Sequence, residues 1–243
     1  MKKAKKSEAK EPLKAELKVE LSSDGETHVI GEDKIVFVTL EPEQGAENPL
    51  TDCDGFGSIF SFSTRHSNFK EPAEIFENPD APLNSAFRSR FEDAVLLSYY
   101  EHGACRWAVR GTMTAGNTHH YSWDCVSLAG VWIPDEYLMC EASGLTGAKR
   151  IAKMTEWAEQ ACKVFTDWCN GEVYCFNCVA YKLKTTDSGE VYDELSDYRF
   201  EDALSEENGM GYYGYDGQKQ AVSDIQCFLG EQFPDREVIA VLK

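Results

Sequence analysis

Cysteine, histidine and carboxylate side chains lie close together at several points along the chain, and each grouping has a chemistry it could serve. Cys175-Phe176-Asn177-Cys178 has the spacing of zinc knuckles and thiol redox sites. A tetrahedral zinc site needs both sulfurs to converge, which a turn provides. Here the pair falls inside an expected strand, where positions three apart face opposite sides, so packing is the expectation. Glu101, His102 and Cys105 are neighbours in sequence, and a Cys–His pair can act as a nucleophile. His102 falls in an expected hairpin turn, however, where it would be exposed. His119-His120 offers a second base or ligand pair. Cys162 and Cys169 are seven apart on an expected helix and read as small core thiols.

Asp52-Cys53-Asp54-Gly55-Phe56-Gly57 looks like the middle of a calcium loop. Aligning Gly55 with the loop glycine puts Leu50 and Ser61 where carboxylates are required, so that loop fails. Asp52 and Asp54 leave a two-carboxylate magnesium site as the alternative to a plain turn. The glycines of Gly209 to Gly217 (GMGYYGYDG) do not follow a strand into a dinucleotide-binding helix, and no P-loop is present. None of these groupings identifies a reaction, and the expectation is a non-enzyme without a cofactor.

The most unusual stretch is Asp187 to Glu207. Asp187, Glu190, Asp193, Glu194, Asp197, Glu201, Asp202, Glu206 and Glu207 stand against one Arg199, a net of -8 in 21 residues. Tyr192, Tyr198 and Phe200 are interleaved, so this is not a simple acidic tail. Carboxylates spaced like the phosphates of DNA, roughly 7 Å apart, can occupy a cleft of lysines and arginines. Such charge complementarity speeds encounter and makes it salt-sensitive.

Composition agrees with that direction. The chain has 243 residues, 24 Lys plus Arg against 42 Asp plus Glu, and a net charge of -18. Residues 1–18 hold seven lysines and three glutamates, net +4, which leaves -22 on the remainder. A duplex must be met with Lys and Arg, so direct nucleic-acid binding is disfavoured, and so is an anionic membrane. Hydrophobic residues are 42% and aromatics 12%, enough for a folded core. Lysines near the start are followed by charge rather than an apolar run, so export is not expected. Nine cysteines without an export signal read as free thiols in a reducing cytoplasm.

The elements that must position these groups are read from periodicity. Strands are expected at 33–40, 57–62, 121–133, 172–184, 191–195 and 237–242. A hairpin is expected over 94–100 and 104–112, with Gly103 in the turn. Residues 67–85 read as loop or a short irregular helix; a helix from Asn84 through Tyr100 competes with the first hairpin strand, and the expectation is helix to about Asp93, then strand. The clearest helix is 147–170, with Ile151, Met154, Trp157, Ala158, Ala161, Phe165 and Trp168 on one stripe. Thr146 is its expected N-cap, and a second helix runs from about 218 to 229. The fold class is therefore α+β: a mostly antiparallel sheet with two or three packed helices, the longest about 147–170. Residues 1–20 read as a flexible basic arm and 21–243 as a single acidic domain.

Several strings together carry a resemblance: NPLTDCDGFGSIFSFSTRH at 48–66, YYEHGACRWAVRG at 99–111, WDCVSLAGVWIPD at 123–135, FTDWCNGEVY at 165–174 and GYYGYD at 211–216. They resemble an uncharacterised family of accessory proteins carried by bacterial phages, plasmids and integrative elements. The resemblance brings no catalytic motif and no ligand. It implies an accessory protein working in the cytoplasm of a bacterial host, a setting in which acidic proteins antagonise restriction enzymes, nucleases or CRISPR effectors. The functional expectation is an acidic inhibitor, possible as a DNA mimic, that binds the basic groove of a host nucleic-acid-processing or defence complex. Two other classes stay open: a small cysteine/histidine or metal-dependent enzyme, and an oligomeric structural protein of the element.

Overall fold

A computed structural model of the chain describes residues 14–23, 25–51, 54–76, 93–112 and 124–243. The architecture is α+β, and four of its helices and ten strands lie among those residues. Strand pairing among the described residues is mostly antiparallel. The sequence reading expects one domain over 21–243. Within the chain two compact units are distinguished, Met1–Glu43 with Tyr174–Lys243, and Gln44–Val173.

In the first unit, β1 (Ala15–Leu21) pairs with β10 (Arg236–Leu242). A four-stranded sheet runs in the order β2 (Gly25–Ile30), β3 (Lys34–Pro42), β8 (Val173–Lys182) and β9 (Ala203–Tyr213). Leu17, Val19 and Leu21 alternate with charged residues, and Val19 and Leu21 are buried. That apolar face makes residues 15–20 a strand where the sequence reading places a mobile arm; residues 1–13 lie outside the described part. β3 and β8 are apolar on both faces, as central strands must be. Val36, Val38 and Leu40 join Phe176, Cys178 and Ala180 under α4 (Gly214–Gln232), whose Ala221, Ile225, Phe228 and Leu229 recur at threes and fours. Burying each of the larger side chains is worth about 1.5–3 kcal/mol. Ile35, Phe37, Val179 and Tyr181 fill the other face.

In the second unit the sheet order is β4 (Ser58–Ser61), β7 (Cys125–Ile133), β5 (Val95–His102) and β6 (Ala104–Val109). β5 and β6 form the expected hairpin, and Gly103 turns it at φ 81°, a conformation that side chains with a Cβ resist. Pro72–Ile75 is a single helical turn, α1, within the expected irregular region. The competing helix at 84–93 lies almost wholly outside the described residues, as do 121–123. α2 (Glu136–Glu141) follows Pro134, and α3 (Gly147–Cys169) is the long helix. Met154, Trp157, Ala158, Ala161, Cys162 and Phe165 pack α3 onto Leu97, Trp107, Val109 and Trp132. Ile151 is 49% exposed, so the buried stripe begins one turn later than its spacing suggests. Thr146 stands at the N-cap with extended backbone, yet its hydroxyl makes no capping hydrogen bond.

Candidate functional site

The acidic stretch is built on the first unit. After β8, Thr185 and Val191 form an isolated bridge, and the expected strand at 191–195 goes no further. Two 3-10 turns, Leu195–Asp197 and Phe200–Asp202, take its place. The reason is Tyr198, which turns down onto the sheet and is 7% exposed. Its ring meets Phe37 at 5.5 Å and Tyr181 at 5.0 Å. Its hydroxyl donates to the Tyr192 carbonyl at 2.8 Å and accepts from the Lys184 amide at 3.3 Å. The Lys184 ammonium lies 4.8 Å over the same ring. A segment that composition would allow to wander is thereby nailed to a core face.

All nine carboxylates, Asp187 to Glu207, are exposed. Asp187 and Glu190 stand in the turn after β8, and Asp193 and Glu194 in the following loop. Asp197, Glu201 and Asp202 are in the two 3-10 turns, and Glu206 and Glu207 are on β9. Asp202 pairs with Lys184 at 3.7 Å and Glu201 with Arg199 at 3.4 Å, both pairs well exposed. Such pairs offset little of the local charge. Large apolar side chains stand exposed among the acids: Phe200 (69%), Leu204 (58%) and Met210 (75%). β9 is the last strand of its sheet.

The second unit gathers a different set. Hairpin register places Glu101 opposite Cys105 and Tyr99 opposite Trp107, with their side chains on one face. β6 is the edge strand, and the last turn of α3 covers that edge. The Cys105 amide donates to Asn170 Oδ1 at 2.8 Å, and Asn170 Nδ2 donates to the Cys105 carbonyl at 3.0 Å. The Trp107 amide donates to Thr166 Oγ1 at 2.9 Å. A groove of about 250 Å³ results, lined by His66, Tyr99, Glu101, Cys105, Cys169 and Asn170.

Within it, hydrogen bonding with the Cys169 side chain holds the Cys105 thiol below its ordinary range, against burial and the Glu101 charge, with help from its own amide and the Tyr99 hydroxyl. The same bond, then desolvation and the charge on Cys105, push the Cys169 thiol up. Burial pushes the Tyr99 hydroxyl up, as do the charges of Cys105 and Glu101. His66 bonds Ser61 Oγ through Nδ1 at 2.7 Å and lies against Tyr99. Burial lowers its pKa despite Glu101, which favours the neutral ring.

The sequence groupings fare differently. His102 is exposed, lies on the opposite strand face from Cys105, and pairs with Asp124 at 3.2 Å. The neighbours of Cys105 are therefore Cys169 and Glu101 rather than His102. Cys162 is buried, but Cys169 is exposed at the helix end, so only the first is a core thiol. Cys178 is buried under α4, and alternation puts Cys175 on the other face of β8. His119, His120, Asp52 and Cys53 lie outside the described residues. Gly55 and Gly57 form the turn before β4, both donating to Asp135 Oδ2, at 2.7 and 3.0 Å. His66, Cys169 and Asn170 are not legible in the sequence as partners of Cys105, because only tertiary packing joins them.

No group of three or more metal-ligating side chains converges among the described residues. No helix among them is long and apolar enough to cross a membrane. Neither a family model, nor a curated protein, nor a solved structure matches the chain.

Proposed function

We propose that this is a non-enzymatic, acidic binding protein of a bacterial mobile element, acting in the host cytoplasm. Its target is the basic groove of a host nucleic-acid-processing or defence complex, which it occupies and blocks. The observation that carries the reading is that Tyr198 pins the segment bearing Asp193, Glu194, Asp197, Glu201 and Asp202 onto the sheet face, beside the other exposed carboxylates of the cluster. A surface that served only solubility would gain nothing from that anchor. The apolar side chains of Phe200, Leu204 and Met210 favour a protein as the partner, since they gain from burial and a bare cation offers none. Fixed carboxylates imitate a phosphate array in charge and give the contact its reach; the apolar groups give it grip.

The test is capture from host lysate on the immobilised protein, followed by elution with duplex DNA. The expected result is a basic nucleic-acid-binding partner that DNA displaces and rising salt releases. Tight binding of the protein itself to duplex DNA at moderate salt would refute the proposal.

A further inference from the structure

The second unit carries a site independent of the acidic face. We propose that Cys105 and Cys169 are a reactive dithiol that takes hydroperoxides as its substrate, with Cys105 as the attacking sulfur and Cys169 as the resolving one. Three features of the geometry support this. Cys105 on β6 and Cys169 at the end of α3 line one and the same groove. The double hydrogen bond from Asn170, the residue next to Cys169, to the Cys105 backbone fixes strand and helix at that separation. The groove of about 250 Å³ opens on both sulfurs and has room for a small peroxide.

The sulfur of Cys105 attacks the distal peroxide oxygen as thiolate. The O–O bond breaks, the leaving oxygen takes a proton from solvent, equal to the one the Cys105 thiol released on ionising, and departs as alcohol or water, and Cys105 becomes a sulfenic acid. The sulfur of Cys169 then attacks the Cys105 sulfur. An S–S bond forms, the S–OH bond breaks, and the hydroxide leaves as water with the Cys169 proton. The sum is two thiols and one hydroperoxide giving one disulfide, one alcohol and one water. A dithiol reductant resets the pair. The Cys169 and Tyr99 side chains favour the ionised form of Cys105, and the same contact favours the protonated form of Cys169.

The experiment treats the full chain with one equivalent of hydrogen peroxide at neutral pH and maps cysteines by mass spectrometry. The wild type is expected to form the Cys105–Cys169 disulfide ahead of any other pairing. Cys105 should react severalfold faster with peroxide than the exposed thiols Cys140 and Cys227. Cys169→Ser should stop at a Cys105 sulfenic acid that dimedone traps, and Cys105→Ser should leave Cys169 reduced. A Cys105 rate equal to that of Cys140 and Cys227, or a disulfide between other cysteines, overturns the proposal. The wild-type map alone decides between these outcomes, even if a variant fails to fold.

Discussion

Removing the Tyr198 anchor should free the acidic segment while leaving every charge in place. Tyr198→Phe deletes the hydroxyl that donates to Tyr192 and leaves the Lys184 amide without its acceptor. Losing two modest hydrogen bonds around a buried group costs about 1–2 kcal/mol. Tyr198→Ala also empties the slot between Phe37 and Tyr181, and truncating a buried aromatic costs about 3–5 kcal/mol. The loss falls on a segment that can lift from the sheet without unfolding α3 in the other unit. Hydrogen exchange is thus the fitting assay, because it reads local opening directly. For Tyr198→Phe, amides over 184–202 should exchange about 5–30-fold faster, the factor that 1–2 kcal/mol corresponds to. Tyr198→Ala should erase their protection, while amides of 147–169 keep theirs. Partner capture should fall with the same variant, although all nine carboxylates remain. Unchanged protection over 184–202 in Tyr198→Ala would mean that something else holds the segment, and the reasoning would fail.

Asp135 caps α2 by accepting from the Leu138 amide at 2.9 Å and also binds the Gly55 and Gly57 amides. Asp135→Asn turns one acceptor into a donor facing these amides, and should lower stability by about 2–4 kcal/mol, read by thermal or urea unfolding. Burial alone would raise the carboxyl, but the amides of Leu138, Gly57, Gly55 and Tyr137 outweigh it and hold it below the usual range. The stabilisation is therefore complete above an ordinary Asp value of about 3.9 and lost as pH falls through the lower folded value, a dependence the Asn variant should lack. Arg150 grips Asp93 through Nε and Nη2 and the Ala142 carbonyl through Nη1. Arg150→Lys cannot reproduce that fork and should cost about 1–3 kcal/mol in the same assay. Burial pushes Cys162 and Cys178 up to about 12, so both should resist iodoacetamide at neutral pH until the chain is unfolded.

Much of the local structure is legible in the sequence because it rests on local rules. The double-faced apolar run of β8, the stripe of α3 and the Gly103 turn each follow from periodicity or a single conformational demand. β1 is hidden because its Leu17, Val19 and Leu21 alternate with lysines and glutamates that read as a charged tail; its partner β10 lies at the other end of the chain. β9 is hidden by its glycines and acids, which have low strand propensity and are tolerated at a sheet edge. The division at Glu43 and Tyr174 has no local marker, since β3 and β8 on its two sides pair with each other through Pro42 and Tyr174. The acidic cluster is visible as composition, but its exposure and the Tyr198 anchor are tertiary facts. Cys105 stands out in the sequence beside the wrong partner, because sequence neighbours on a strand face apart whereas Cys169 arrives on a helix 64 residues later.

The most direct measurement compares the captured partner's affinity for the wild type with that for a variant carrying Asn or Gln at Asp187, Glu190, Asp193, Glu194, Asp197, Glu201, Asp202, Glu206 and Glu207, over a salt series. Wild-type affinity should fall steeply with rising salt, and binding by the variant should be weak and nearly salt-independent. Equal affinity and equal salt slope for the two proteins would contradict a role for the acidic face in gripping its partner.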